Sequence, residues 1–390
     1  MMYKYISIVF LLVISINCNS IDKPPVKTAV SPSQIPKKKV SVKKSKNVSR
    51  KVKHIEGSVN ILFCGDVMLD WGIRDIFETK GYRYPLRELK DFLSQFDYRF
   101  CNLESPISDK GKPHLTKKYI FRAKPEEVKI LKYGDFNGVS LANNHSNDFG
   151  KEALLDTLDI LIKNNISYAG AGSDICSARL PLSLEIEGIN IALFAYSDIA
   201  YKESYATDIS SGIAKADLDS IIEDIQQFKS IYHFIIISIH WGEEYSDYPT
   251  EQQIEMAHKI IDSGADVIIG HHPHVYQGIE IYKGKPVIYS LGNFIFGSIN
   301  EDIRHNIVVG IRFLKEGIHS LNIYAINGNK DTRKPFHHTL LEGKEAVDSL
   351  IHLLKLSETL GSAFSQRAYI KDSVLYYSFS TEMLTGINTE

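Results

Sequence analysis

The chain has 390 residues and is close to neutral, with 45 Lys and Arg against 47 Asp and Glu. The charges are unevenly spread: residues 19–57 hold eleven basic side chains against Asp22 and Glu56, while residues 58–390 hold 33 against 45, a net charge of −12. That acidity argues against nucleic acid as a partner of the folded part, and its three cysteines, an odd number, exclude a full disulfide framework.

Met1 to Ile16 contains one lysine, Lys4, and then a mostly apolar run. Its eleven or so residues, at roughly 1.5 Å each, fall well short of a hydrocarbon core of about 30 Å, so residues 1–18 read as a signal peptide rather than a span. The segment ends in Ser15-Ile16-Asn17-Cys18. This resembles a relaxed lipobox, with Cys18 lipidated after cleavage and the membrane reached through that anchor; a plain signal peptide is the alternative. Residues 19–57, rich in Lys, Ser, Pro and Val without aromatics, bury too little apolar surface to offset their ordering entropy. They are predicted to form a disordered basic tether, lying along anionic lipid or wall polymer or serving as a solvated spacer.

Residues 58–330 are expected to form the main domain, and 331–390 an extension packed on it. Val59 to Cys64 is a buried strand stopped by Gly65, which leaves Asp66 where the strand gives way to its loop. A helix is expected over Tyr84 to Phe96, then a strand Tyr98 to Cys101 that delivers Glu104. A second helix (Pro125 to Lys132) precedes the strand Gly138 to Leu141, which runs into Asn143, Asn144 and His145, and a helix follows from Lys151 to Asn164. Two short strands (Ser167 to Ala169, Ile189 to Tyr196) lead to Phe234 to Ile239, a strand ending in His240. The apolar spacing of Gln252 to Ser263 is helical, and Val267 to Ile269 is a strand followed by Gly270-His271-His272-Pro273-His274. This β-α-β unit puts both strand ends on one side, where open α/β sheets bind ligands. Pro286 to Phe294 and a meander of half-exposed strands (Ile307 to Phe313, Ser320 to Ile326) come next, then a helix over Glu342 to Leu360 and a short strand or loop over Asp372 to Ser380. The order fits two sheets packed together with helices outside. Cys64 and Cys101 each end a strand just before a candidate ligand, as neighbouring buried thiols or a disulfide.

Each of these polar residues alone reads as a cap, a turn or a satisfied side chain. Together, Asp66, Glu104, Asn144, His240, His272 and His274 form a repeating series of strand-end donors. Carboxylate, amide and imidazole ligands suit one or two divalent ions of Zn, Mn or Fe.

The chain resembles the CapA family of poly-gamma-glutamate capsule synthesis proteins, relatives of the calcineurin-type metallophosphoesterases. The resemblance runs from Val59 to Phe296 through Gly65-Asp66-Val67-Met68-Leu69, Asn102-Leu103-Glu104-Ser105-Pro106, Leu141-Ala142-Asn143-Asn144-His145, His240-Trp241-Gly242-Glu243-Glu244-Tyr245, His272-Pro273-His274-Val275 and Ser290-Leu291-Gly292-Asn293-Phe294. It implies an α/β fold, the metallo-dependent phosphatase-like four-layer α/β/β/α sandwich. It further implies Asp66 as a ligand of one metal, Glu104 as the bridge, Asn144 and His240 on the second metal, and His272 and His274 one on each. His145 is implied as the catalytic group that stabilises charge or protonates the leaving oxygen. The sequence departs from the phosphoesterase pattern at Met68, where a histidine is expected, and Asp70 is close enough in sequence to substitute. Arg122 and Arg179 are candidate clamps for an anionic substrate, or surface ion pairs; Trp241 and Tyr245 floor the pocket or pack in the core. His271 orients its loop or faces outward, and Asn293 is a candidate to support a metal ligand from behind. The resulting expectation is an envelope-anchored, metal-dependent hydrolase of an anionic polymer or phosphoester. The alternative is a non-catalytic accessory lipoprotein that positions polymer or a membrane synthase partner.

Overall fold

Ten residues, Val59–Met68, form β1 and are buried along their whole length. The computed structural model describes residues 55–297, 305–328 and 335–379. The expected signal peptide, Cys18 and residues 19–54 of the expected tether lie outside the described residues.

In the same sheet β2 (Tyr98–Leu103), β3 (Gly138–Ser140) and β4 (Ser167–Ala169) run parallel to β1, with α1 (Gly72–Lys80) and α2 (Gly150–Lys163) between them in sequence. β5 (Ala171–Gly172), β6 (Leu182–Ile186), β7 (Ile189–Ser197) and β8 (Gly212–Ile213) follow; β5 and β8 form a separate two-stranded pair, whereas β6 and β7 begin a second sheet. That sheet grows through α3 (Leu218–Phe228), β9 (Phe234–His240), α4 (Glu251–Asp262), β10 (Val267–His271), β11 (Ile279–Tyr282) and β12 (Lys285–Ile288), in the spatial order β11-β12-β10-β9-β7-β6. β13 (Asn293–Phe296) returns to the first sheet beside β1. β14 (His305–Leu314), β15 (Gly317–Asn327), α5 (Gly343–Glu358), β16 (Tyr369–Lys371) and β17 (Val374–Ser378) complete the order β16-β17-β15-β14-β1-β2-β3-β4. Among the described residues no helix is long and apolar enough to cross a membrane.

The period-2 alternation of the strands decides the layers. Ile61 and Phe63 of β1 share a core with Ile191 and Leu193 of β7, Ile236 of β9 and Ile269 of β10, so the two sheets pack face to face. The intervening Leu62 and Cys64 point the other way, onto Ile73 and Phe77 of α1 and Leu154 and Leu158 of α2. On the second sheet Ile235 and Ile237 meet Ile221 and Ile225 of α3 and Ala257 and Ile260 of α4. Each fully buried aliphatic side chain contributes about 1.5–3 kcal/mol relative to exposure. The result is the expected helix, sheet, sheet, helix stacking. Cys64 and Cys101 are buried free thiols.

Three expectations need correction. The helix from Tyr84 to Phe96 is only Lys90–Leu93: before it the chain makes successive turns, Arg87 bonding back to Tyr84 and Leu89 to Leu86, and beyond it the Arg99 guanidinium takes the carbonyls of Leu93 and Phe96 at 3.0 and 2.6 Å. The apolar run from Pro286 to Phe294 is not one element: β12 ends in one sheet and β13 begins in the other. The strands β14 and β15 are buried on both faces rather than half-exposed, since Phe92 packs on Tyr324 from the side opposite the core, with ring centroids 4.8 Å apart.

The return of β13 to the first sheet makes β1 change partner partway along. β1 pairs with antiparallel β14 from Val59 to Phe63 and with parallel β13 from Asp66 onward. The change falls at Gly65, where a β carbon would lie 1.8 Å from the Gly292 carbonyl oxygen. Only glycine lets that carbonyl reach the Asp66 amide, 3.0 Å away. Gly65→Ala is therefore expected to destabilise the fold by about 3 kcal/mol, read as a lower urea midpoint in equilibrium unfolding.

Candidate metal centre

Both sheets present the carboxyl ends of their central parallel strands at the same rim. Asp66 of β1 is in register with Asn102 of β2 and Asn293 of β13, and His240 of β9 with His271 of β10. From this rim the loops after β2, β3 and β10 supply Glu104, Asn144, His272 and His274. The backbone there is strained: His272 and His274 have φ of +100° and +62°. Non-glycine residues held at such angles cost of order 1–3 kcal/mol each and persist where the surroundings over-determine them.

The donors fall into two groups that share Glu104. In the first, His240 Nε2 lies 2.9 Å from Asn144 Oδ1, 3.1 Å from His272 Nδ1 and 3.8 Å from Glu104 Oε1. An ion bound at about 2.0–2.2 Å sets neighbouring ligand atoms roughly 3–3.5 Å apart, so these four side chains fit one cation. In the second, Asp66, Glu104 and His274 each bring one donor atom to within 4.8 Å of the others, and His274 Nε2 is 4.0 Å from Glu104 Oε1. Glu104 Oε1 is fully buried and accepts no hydrogen bond. A carboxylate oxygen left bare between two imidazole groups is what a cation would satisfy.

Burial sets the charge state. It would raise the Asp66 carboxyl, but the His271 and His274 imidazoles outweigh it and hold Asp66 well below the usual carboxylate range. Burial, reinforced by the Asp66 charge, pushes Glu104 well up. Burial also lowers His240 well below the ordinary imidazole value and takes His272 down to about 3, so both offer neutral lone pairs at pH 7. His274 is the exception: burial again disfavours charge, yet Glu104 and Asp66 raise it to about 9.

Behind the donors stands a layer of amides and ion pairs of which sequence reasoning named only Asn293. Asn102 Nδ2 lies 2.9 Å from Asp66 Oδ1, 3.4 Å from Glu104 Oε2 and 3.3 Å from His240 Nδ1, so one amide touches three donors. Its own oxygen accepts from Asn143 Nδ2 at 3.0 Å. Asn293 Oδ1 lies 2.9 Å from His274 Nδ1, which turns Nε2 toward Glu104. His271 is buried with Nδ1 3.2 Å from Asp66 Oδ1, without the alignment of a hydrogen bond; it faces inward, not outward. The available signal was position: Asn102 and His271 each stand beside a named donor.

His145 sits next to this cluster, 7% exposed. Its Nδ1 is 2.7 Å from Asp148 Oδ2, which also accepts the Phe121 amide at 2.7 Å. The other Asp148 oxygen pairs with buried Lys117, whose Nζ reaches the Asn144 carbonyl at 2.5 Å. Burial lowers the His145 value, with Asp148 opposing and Lys117 adding to it. The ring is thus oriented through Nδ1, leaving Nε2 as the nitrogen able to exchange a proton.

Met68 is fully buried against Phe121 and Phe296, and its sulfur accepts the Asp70 amide at 3.2 Å. Asp70 does not replace it: its carboxylate holds the Arg122 amide at 2.8 Å and the Arg74 guanidinium at 3.1 Å. Three of the four candidate substrate contacts are engaged elsewhere. Arg122 lies over the Phe149 ring, 3.4 Å from its centroid, and donates to the Lys110 carbonyl. Arg179 is held by Asp224 and Glu223, an ion pair rather than a clamp. Trp241 is buried in the core, with Nε1 donating to the Tyr289 carbonyl at 3.0 Å, and floors no pocket. Tyr245 remains at the rim, half-exposed, its ring 5.8 Å from that of His274.

Known proteins resemble this chain over the region that carries these donors. The family described as bacterial capsule synthesis protein PGA_cap matches residues 60–298. The PGA biosynthesis protein CapA of Bacillus subtilis is 30% identical over 290 residues, 74% of this chain and 76% of that protein. Among solved structures, a 5'-nucleotidase precursor from Thermus thermophilus aligns with a TM-score of 0.42 at 10% identity, over 80% of this chain and 60% of its own. A calcineurin-like phosphoesterase, YfkN of Bacillus subtilis, aligns with a TM-score of 0.37 at 15% identity, over 66% of this chain and 85% of its own. The chain belongs to the bacterial capsule synthesis protein family PGA_cap.

Proposed function

We propose that this protein is an exported, metal-dependent hydrolase that cleaves phosphoester bonds in the making or trimming of an anionic surface polymer. The observation that carries the reading is the bare, buried Glu104 oxygen between two imidazole groups, with an oriented His145 beside it. Neutral His240 and His272, the Asn144 amide and the two carboxylates would hold one or two divalent ions, Zn, Mn or Fe. Such ions supply Lewis acidity and lower the pKa of water toward neutrality.

The chain's own contribution is positional. Asn102 and Asn293 fix the donors, and Asp148 holds His145 through Nδ1 so that Nε2, when the ring carries both protons, can give one to the departing oxygen. The net charge of −12 on residues 58–390 would repel an anionic polymer, so attraction must come from cations at the rim. The family name of the relatives supports a role in capsule or polyglutamate synthesis; lipidation at Cys18 would keep the protein at the membrane, with the basic residues of 19–57 on anionic lipid or wall polymer. Met68 favours a second reading, an accessory protein that keeps one ion, performs no hydrolysis and positions polymer or a membrane synthase. It removes a ligand from the Asp66 group and puts an apolar wall there.

His145→Ala is expected to lower kcat on a phosphodiester panel by about 10²–10⁴-fold while metal content by mass spectrometry is unchanged. Retained metal with no turnover on phosphodiesters or gamma-glutamyl oligomers in either protein would establish the accessory role. Glu104→Gln is expected to lose bound metal on dialysis, because it removes charge from both groups at once.

The pH dependence has a definite sign. His274 is raised from about 6.5 to about 9, so in metal-free protein its stabilisation is complete below pH 6.5 and is lost as pH rises through 9. Metal must displace that proton, so affinity should climb over the same window. Thermal melts of metal-free protein and calorimetric titration in buffers of different ionisation enthalpy test both halves.

A further inference from the structure

The segment after β1 builds something that holding a metal does not require. Trp71 is 42% exposed and adopts φ +56°, a conformation a tryptophan seldom takes. It is pinned there on both sides: its amide donates to Asp70 Oδ1 at 2.7 Å and its carbonyl accepts from the Arg74 amide at 2.9 Å. The second oxygen of Asp70 takes the Arg122 amide, fastening the same loop that carries Tyr119 and Phe121. Trp71 meets Phe121 at 4.8 Å and 83° and the 47% exposed Tyr119 at 5.8 Å and 70°. Phe121 in turn lies 4.2 Å from the His145 ring. A braced pair of exposed rings therefore continues directly from the proton-donating histidine. Among the described residues neither ring near Trp71 lies parallel to it, so no parallel pair of rings is set to clamp a flat ligand there. Lys118 Nζ stands over one face of the Tyr119 ring, 4.8 Å from its centroid, and adds positive charge there.

We infer that Trp71 and Tyr119 form a subsite for a pyranose ring in the leaving group of an anionic sugar phosphoester. A flat nucleobase gains most between two parallel rings, which this site lacks. The apolar C–H face of a saturated sugar is suited to a single aromatic face, while its hydroxyls stay in water. The assignment rests on the hydrolase reading, in which His145 serves the leaving-group side. The water oxygen bonds to phosphorus and its released proton passes to solvent, the bond from phosphorus to the sugar oxygen breaks, and that oxygen leaves with the Nε2 proton of the His145 imidazolium, which solvent then restores.

The chain has two tryptophans, and Trp241 is buried, so quenching of the exposed one reports on this subsite. Full-length, Mn-loaded protein would be titrated with glucose 1-phosphate, glycerol 3-phosphate and adenosine monophosphate. The expected result is quenching by glucose 1-phosphate alone. Trp71→Ala should weaken its binding by about fivefold to tenfold in calorimetry, leaving glycerol 3-phosphate binding and the melting temperature unchanged. Equal loss for both phosphates, or no loss for either, overturns the subsite, as does stronger quenching by adenosine monophosphate. Ring-dependent quenching without turnover would leave the subsite standing and remove the hydrolase; turnover without ring preference would do the reverse.

Discussion

The structure depends on the grip on one buried carboxylate. Asp66 is fully buried, touched by the Asn102 amide from its own sheet and by the His271 ring, the His272 amide and the His274 ring from the other. Two sheets with an apolar core between them could slide or splay at the rim. A charge that cannot be left without partners prevents this, since removing one partner of a buried ion strands the other at a cost of about 3–5 kcal/mol. Stitching the sheets and gathering the donors are therefore the same event, because the atoms that close the rim are those that face a cation.

That arrangement runs against local preference in several places at once. Two carboxylates are buried side by side, two histidines hold left-handed backbone angles, and Gly65 admits a carbonyl where any side chain would clash. Each feature taken alone opposes folding. They are tolerated because the strands behind them, Phe234–His240 and Val267–His271 among them, are buried at every residue and hold the loops in place. Sequences depart from local consistency mainly at functional sites, and here the departures all sit at one rim.

How legible was this from residues alone? The strand-end donors were, because each apolar run ends in a polar residue, and parallel strands carry their ends to one side. The structure brings Asp66, Glu104, Asn144, His240, His272 and His274 together. The supporting layer was not legible: Asn102 and Asn143 interact across 41 residues, and Lys117 reaches Asp148 across 31, with no local pattern to mark either pair. Arg122 and Arg179 show the opposite limit, since an arginine that clamps substrate and one that ties down a helix are alike in sequence. In the fold, α3 was missed although Asp217 caps it and Ile221 and Ile225 share its buried face. The division of residues 286–294 between two sheets was hidden because one apolar run served both.

The segment Met68-Leu69-Asp70-Trp71 explains why the two donor groups are unequal. Beside the Asp66 group, Met68 joins Phe121 and Phe296 in an apolar wall, and Asp70 turns away to hold two backbone amides. A thioether offers little to a hard divalent ion, so Met68 adds no donor to the Asp66 group, while Asn144, His240 and His272 gather on the other side of Glu104. The same four residues project an exposed tryptophan beside His145. One short stretch of backbone thus supplies both the apolar wall beside Asp66 and an exposed ring that reaches His145 through Phe121.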